Sequence, residues 1–102
     1  MRKLRKYEEV LDEQLQDPVE AANYLNAAYE EGEDVFLLAM QDVAHARGIS
    51  QTAKKAGLQR VGLYKMLSKK GNPEHRSIRA LLDALDLHIE FHPKSHLHSH
   101  AA

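Results

Sequence analysis

The chain has 102 residues, 43% of them hydrophobic and 28% charged, with a net charge of −1 and no cysteine. This is the usage of one small domain with a modest core, and it excludes disulfides and thiolate chemistry. No apolar run reaches membrane-spanning length and the opening MRKLRKYEEV lacks the apolar centre of a signal peptide, so a cytoplasmic protein without a membrane partner is expected.

Leu4, Tyr7, Leu11 and Leu15 recur at spacings of three and four, which predicts an amphipathic helix over 4–15. Asp17-Pro18-Val19-Glu20 reads as the start of the next. Asp17 can cap, Pro18 suits the first helical position, and Glu20 can reach back to a free amide. This helix runs to about Glu31, with Ala22, Leu25 and Tyr29 inward and Gly32 ending it in the left-handed conformation. Asp34 opens a third helix with Phe36, Met40 and Val43 on one face and Gly48 as its stop. Ser50 caps a short helix that Gly57 terminates. Another covers about 59–68 and ends near Gly71-Asn72-Pro73. Ser77 begins the last, with Ile78, Leu81, Leu82 and Leu85 inward. Beyond Asp86 the period becomes two, Leu87, Ile89 and Phe91 alternating with His88, Glu90 and His92, which predicts a short strand closed by Pro93.

Charge is unevenly divided. Residues 1–48 carry 5 Lys+Arg against 11 Asp+Glu, and residues 49–102 carry 9 against 4. A chain split this way can offer its basic half to a polyanion and its acidic half to a cationic partner. Within the basic half, GISQTAKKAGLQRVGLYKMLSKKGNP (48–73) contains Lys54, Lys55, Arg60, Lys65, Lys69 and Lys70 and no carboxylate.

Two short helices joined through Gly57 fit a helix-turn-helix over 49–68, with Ala53 the small residue four positions before the turn. The inner positions are then Ile49, Ala53, Ala56, Leu58, Leu63 and Met66, all apolar. Gln59, Arg60, Val61, Tyr64, Lys65 and Ser68 are left on the outer side. Arg60 suits bidentate pairing with guanine, Gln59 adenine or a phosphate, and Val61 a thymine methyl. Ser50, Gln51 and Thr52 present amides and short polar groups to phosphate, and Lys69, Lys70 and Asn72 are placed for the backbone. The competing reading is a helical bundle whose basic face is merely solvated. Gly62 is the awkward residue, because glycine inside a helix costs about 1 kcal/mol relative to alanine. Either DNA comes close to the backbone there or another helix packs tightly against it.

In the order LQDPVEAANYLNAAYEEGE, VFLLAMQDVAHARGIS, AGLQRVGLYKMLSKKGNP and LLDALDL, residues 7–91 resemble the addiction-module antidotes, prophage-type antitoxins of HigA/Xre-like kind. The resemblance implies an all-α, lambda-repressor-like helix-turn-helix bundle, here of five to six helices with the short C-terminal β-strand. It implies an antitoxin of a type II toxin–antitoxin module that binds a RelE/HigB-like toxin and, usually as a homodimer, represses its own operator DNA. Gln51 then takes the place that braces a recognition residue, and Arg60 the recognition place. Gln59 stands where relatives often have serine, and Arg76-Ser77 where they have an Asp/Thr pair, so operator contacts are not carried over there.

The expected division is an N-terminal amphipathic segment (1–16), a DNA-binding domain (17–91) and a flexible His-rich tail (92–102). Glu8, Leu11, Asp12 and Leu15 are the candidate toxin contacts, since an RNA-binding toxin presents a basic surface. Leu87, Ile89 and Phe91 are the candidate dimer contacts, because a lone strand needs a partner edge. His88, His92, His96, His98 and His100 invite a metal, but ligands on one strand need convergence from elsewhere and Pro93 blocks a helix. No metal and no cofactor is expected. Nothing resembles a nucleophile context or a phosphate loop, and the clusters Glu8-Glu9 and Glu30-Glu31-Glu33-Asp34 read as helix-end charge, so no enzyme is expected. The alternatives are a stand-alone prophage repressor without a toxin and a protein–protein adaptor.

Overall fold

A computed structural model describes residues 2–68 and 72–94. Among them every regular element is helical: α1 (Arg2–Leu15), α2 (Pro18–Glu31), α3 (Glu33–Arg47), α4 (Ile49–Ala56), α5 (Arg60–Met66) and α6 (His75–Ala84). The side chain of Leu4, together with Lys69, Lys70, Gly71 and the tail histidines His96, His98 and His100, lies outside what is described.

α3 is the hub. It packs against α1, α2 and α4, and α4 packs in turn against α5 and α6. Its inner side carries Leu37, Met40, Val43 and Ala44, all buried. Leu15, Leu25, Leu63, Leu67, Leu81 and Leu85 complete the core around it. Burial of each such leucine contributes about 1.5–3 kcal/mol. Buried alanines at 21, 28, 39, 44, 46 and 53 let the helix axes approach closely. Half-buried polar groups tie the helices at set points. The Tyr24 hydroxyl donates to Asp42 Oδ2 at 2.6 Å between α2 and α3. Gln41 Nε2 donates to the Leu67 carbonyl at 2.9 Å, holding the end of α5 onto α3.

Helix ends follow local chemistry, with some shifts from expectation. Asp17 caps α2 by accepting the Val19 amide at 2.9 Å. Gly32 ends α2 at φ 140°, ψ 166°, a positive-φ extended conformation rather than the left-handed helical one, and α3 begins directly at Glu33 with Asp34 in its first turn. Ser50 does not cap α4, because Gly48 turns the chain (φ 96°) and helix starts at Ile49. Glu74, not Ser77, precedes α6. Gly57 does adopt the left-handed conformation, φ 73° and ψ 29°. Leu58 N then reaches back to Ala53 O at 2.8 Å, which satisfies a carbonyl at the end of α4.

The inner face of α2 is centred on Ala21, Leu25 and Ala28. Tyr29 is therefore turned outward, 69% exposed, and meets Phe36 edge-on at 5.1 Å between ring centres. At the C-terminal end the expected strand is absent: residues 87–93 carry no regular structure. A strand exists by virtue of a ladder, and no neighbouring strand runs beside this segment among the described residues. Instead Leu87 N donates to Leu82 O at 2.8 Å, closing α6, and its side chain packs against the core.

Candidate nucleic-acid interface

Helices of eight and seven residues are too short to persist alone in water. α4 and α5 are held by what they bury: Ile49 and Ala53 from the first, Leu63 and the following Leu67 from the second. Ala56, Leu58 and Met66 are half-buried rather than fully inside. The fixed turn at Gly57 and the Gln41 clasp on Leu67 set how α5 stands on the bundle.

The outward residues are Ser50, Gln51, Lys54, Lys55, Gln59, Arg60, Val61, Tyr64 and Lys65. Val61, 77% exposed, has an aliphatic side chain that the fold leaves in water. Among the described residues no carboxylate pairs with Lys54, Lys55, Arg60 or Lys65. The surface is thus cationic and uncommitted, as phosphate neutralisation requires. Two expected contacts are placed differently. Thr52 is 3% exposed, packed inside α4 next to Ala53. Ser68 is half-buried, and its hydroxyl donates to the Lys65 carbonyl at 2.8 Å, which uses its proton within the helix end. Asn72 is exposed. Lys54 and Lys55 were not among the sequence candidates, although their place beside Ser50 and Gln51 on the outer side of a short helix was the available signal.

Of the candidate toxin contacts, Glu8 is exposed, while Leu11 and Asp12 are half-buried against the bundle. Asp12 Oδ1 lies 3.4 Å from His45 Nδ1 on α3. Leu15, 2% exposed, is a core residue and offers no surface. Among the described side chains of α1, the apolar ones it presents are Tyr7 and Val10, 64% and 50% exposed. Their i, i+3 spacing puts them on one side, a signal that the stripe through Leu11 and Leu15 obscured.

Of the candidate dimer contacts, Leu87 belongs to the core margin, whereas Ile89 is 43% and Phe91 91% exposed. The segment runs back over α6 and leaves an apolar cleft of about 450 Å³ lined by Leu25, Tyr29, Phe36, Ile78 and Phe91. His88 Nε2 and His92 Nε2 lie 3.2 and 3.1 Å from the two oxygens of Glu90. Hydrogen bonding to His88, followed by its charge and that of His92, holds the Glu90 carboxyl below its usual range. Among the described residues no three metal-ligating side chains converge on a common point.

No helix among the described residues is long and apolar enough to cross a membrane. The family model described as "Probable addiction module antidote protein" matches residues 4–93. An uncharacterized protein of Haemophilus influenzae (strain Rd) is 39% identical over 79 residues, covering 76% of this chain and 81% of its own. No solved structure matches the chain. Residues 4–93 run from the first turn of α1 through α6 and the segment that follows it, and the chain belongs to the addiction module antidote family.

Proposed function

We propose that this protein is the antitoxin of a type II toxin–antitoxin module and represses its own operon through α4 and α5, acting as a helix-turn-helix of HigA/Xre-like, lambda-repressor-like kind. The observation that carries the reading is the exposed, carboxylate-free surface of that helix pair in a chain of the antidote family. Arg60, Val61 and Tyr64 face the major groove, with Gln59, Lys65, Ser50, Gln51, Lys54 and Lys55 beside the phosphates. The cationic partner is a RelE/HigB-like toxin, and the acidic half meets it. Glu8 supplies charge, and Tyr7 and Val10 replace the buried Leu15 as apolar contacts. Two copies pair through Ile89 and Phe91, which are exposed in the single chain. Both partners would be met in the cytoplasm.

Co-expression with the neighbouring reading frame tests the antidote role, read as relief of growth arrest and co-purification of the two chains. A gel shift on the DNA upstream of the gene tests repression. Growth arrest that this protein fails to relieve, with no complex recovered, overturns the first part. A stand-alone prophage repressor is the second reading, favoured by the same cationic surface. DNA binding without capture of any neighbouring product would select it.

A further inference from the structure

We infer that Gly62 is the point at which the sugar–phosphate backbone of bound DNA closes onto the peptide groups of α5. This rests on the DNA-binding reading above and adds to it a residue that neither charge nor a hydrogen bond marks.

Glycine weakens a helix because it loses the most conformational freedom on folding. A folded chain that keeps one inside a helix has a use for the missing side chain. At Gly32, Gly48 and Gly57 that use is internal, with φ of 140°, 96° and 73°, where side chains are strained. Gly62 has no such conformation. A Cβ built there meets nothing within 4 Å among the described residues, so none of the helices described needs the space. Both internal explanations therefore fail, and the residue is exposed on the outer side of α5.

What surrounds it points to the external one. Gln59, the residue before α5, lies three positions ahead of Gly62 and Lys65 three beyond it, so the two flank it on either side along the chain. Both are exposed. An amide and an ammonium flanking a gap are the chemistry that grips successive phosphates. A nucleic-acid strand bridging Gln59 and Lys65 passes directly over Gly62. There it can settle deeper than any side chain would allow.

The test is Gly62→Ala in the full chain. Thermal unfolding is measured, together with fluorescence anisotropy on a labelled duplex from upstream of the gene and on a shuffled duplex of equal length. The variant should unfold roughly 4 °C higher, since alanine is the better helix former. Its affinity for both duplexes should fall by a common factor on the order of tenfold. Unchanged affinity overturns the inference. A lower unfolding temperature also overturns it, by showing that the fold itself needs the glycine. Loss on the upstream duplex alone would place base edges, not phosphates, over Gly62 and overturn the assignment. A wild-type chain that binds neither duplex defeats the DNA reading itself, and this is seen before the variant is compared.

Discussion

Asp86 sits at φ 64°, a left-handed conformation that residues with side chains seldom adopt. It does at the end of α6 what Gly57 does at the end of α4, allowing the next amide to reach back to a free carbonyl. Arg47 at the end of α3 holds it there, donating from Nη2 to Asp86 Oδ2 at 2.8 Å and from Nη1 to the Leu85 carbonyl at 3.1 Å. The Asp86 side chain is 66% exposed, so the ion pair adds little by itself. The conformation dominates. Asp86→Ala should therefore lower stability by about 1–2 kcal/mol, whereas Asp86→Gly should be near neutral, as measured by urea unfolding. Tyr24 makes a second prediction. Burial, then the hydrogen bond to Asp42 and its negative charge, push the phenol well above its ordinary value. A phenol that holds its proton more tightly when folded contributes stability that is complete below the unfolded value of about 10 and lost as pH rises past it. Unfolding midpoints should fall above pH ~10 in the native chain, and part of that fall should be missing in Tyr24→Phe.

α5 is the element on which most of the function is placed, and its variants should separate into two kinds. Arg60→Ala should cost about 1–3 kcal/mol on the upstream duplex and reduce discrimination against shuffled DNA, because a bidentate base contact is lost. Lys65→Ala should weaken both duplexes alike and flatten the dependence of affinity on salt. Competition gel shifts at two salt concentrations distinguish these outcomes. How well the element was legible follows from what defines it. Its place between Gly57 and the Gly71-Asn72-Pro73 break could be read from backbone preferences of the residues themselves. Its rotation could not. Whether Thr52 on α4 or Leu67 after α5 faces inward depends on how α3 and α6 lie across these short helices, and that is decided by distant residues such as Gln41 and Leu81. The same holds for α2, where Tyr29 was expected inside. A period of 3.6 locates a face only to within about one residue (100°), and the small Ala21 and Ala28 won the contact with α3. The segment after Asp86 was misjudged for another reason. Alternation marks a segment that can be a strand, but pairing requires a partner that the sequence does not name.

For the whole molecule, charge divides by element: α2 and the second half of α1 carry carboxylates and no cation, α4 and α5 carry cations and no carboxylate, and α3 touches α1, α2 and α4. Removing residues 1–16 would not test the acidic side cleanly, because Leu15 would leave the core with them. Phe91, 91% exposed, permits a cleaner test of pairing between copies. Phe91→Asp should keep the helical circular-dichroism signal of the fold while light scattering shows the mass of a monomer, its unfolding temperature should no longer depend on protein concentration, and operator affinity should fall with it. A dimer mass unaltered by that change would place the pairing surface elsewhere. The hub position of α3 has one more consequence. Met40 and Val43 are covered completely, and single glycines join α3 to α2 and α4, so no slack lets this helix part from its neighbours. Its amides can reach deuterium only when the entire chain opens, whereas those of α5, a two-turn helix with one face in water, can exchange by local fraying. Protection at the centre of α3 therefore reports global unfolding, and protection along α5 reports whatever is resting on it.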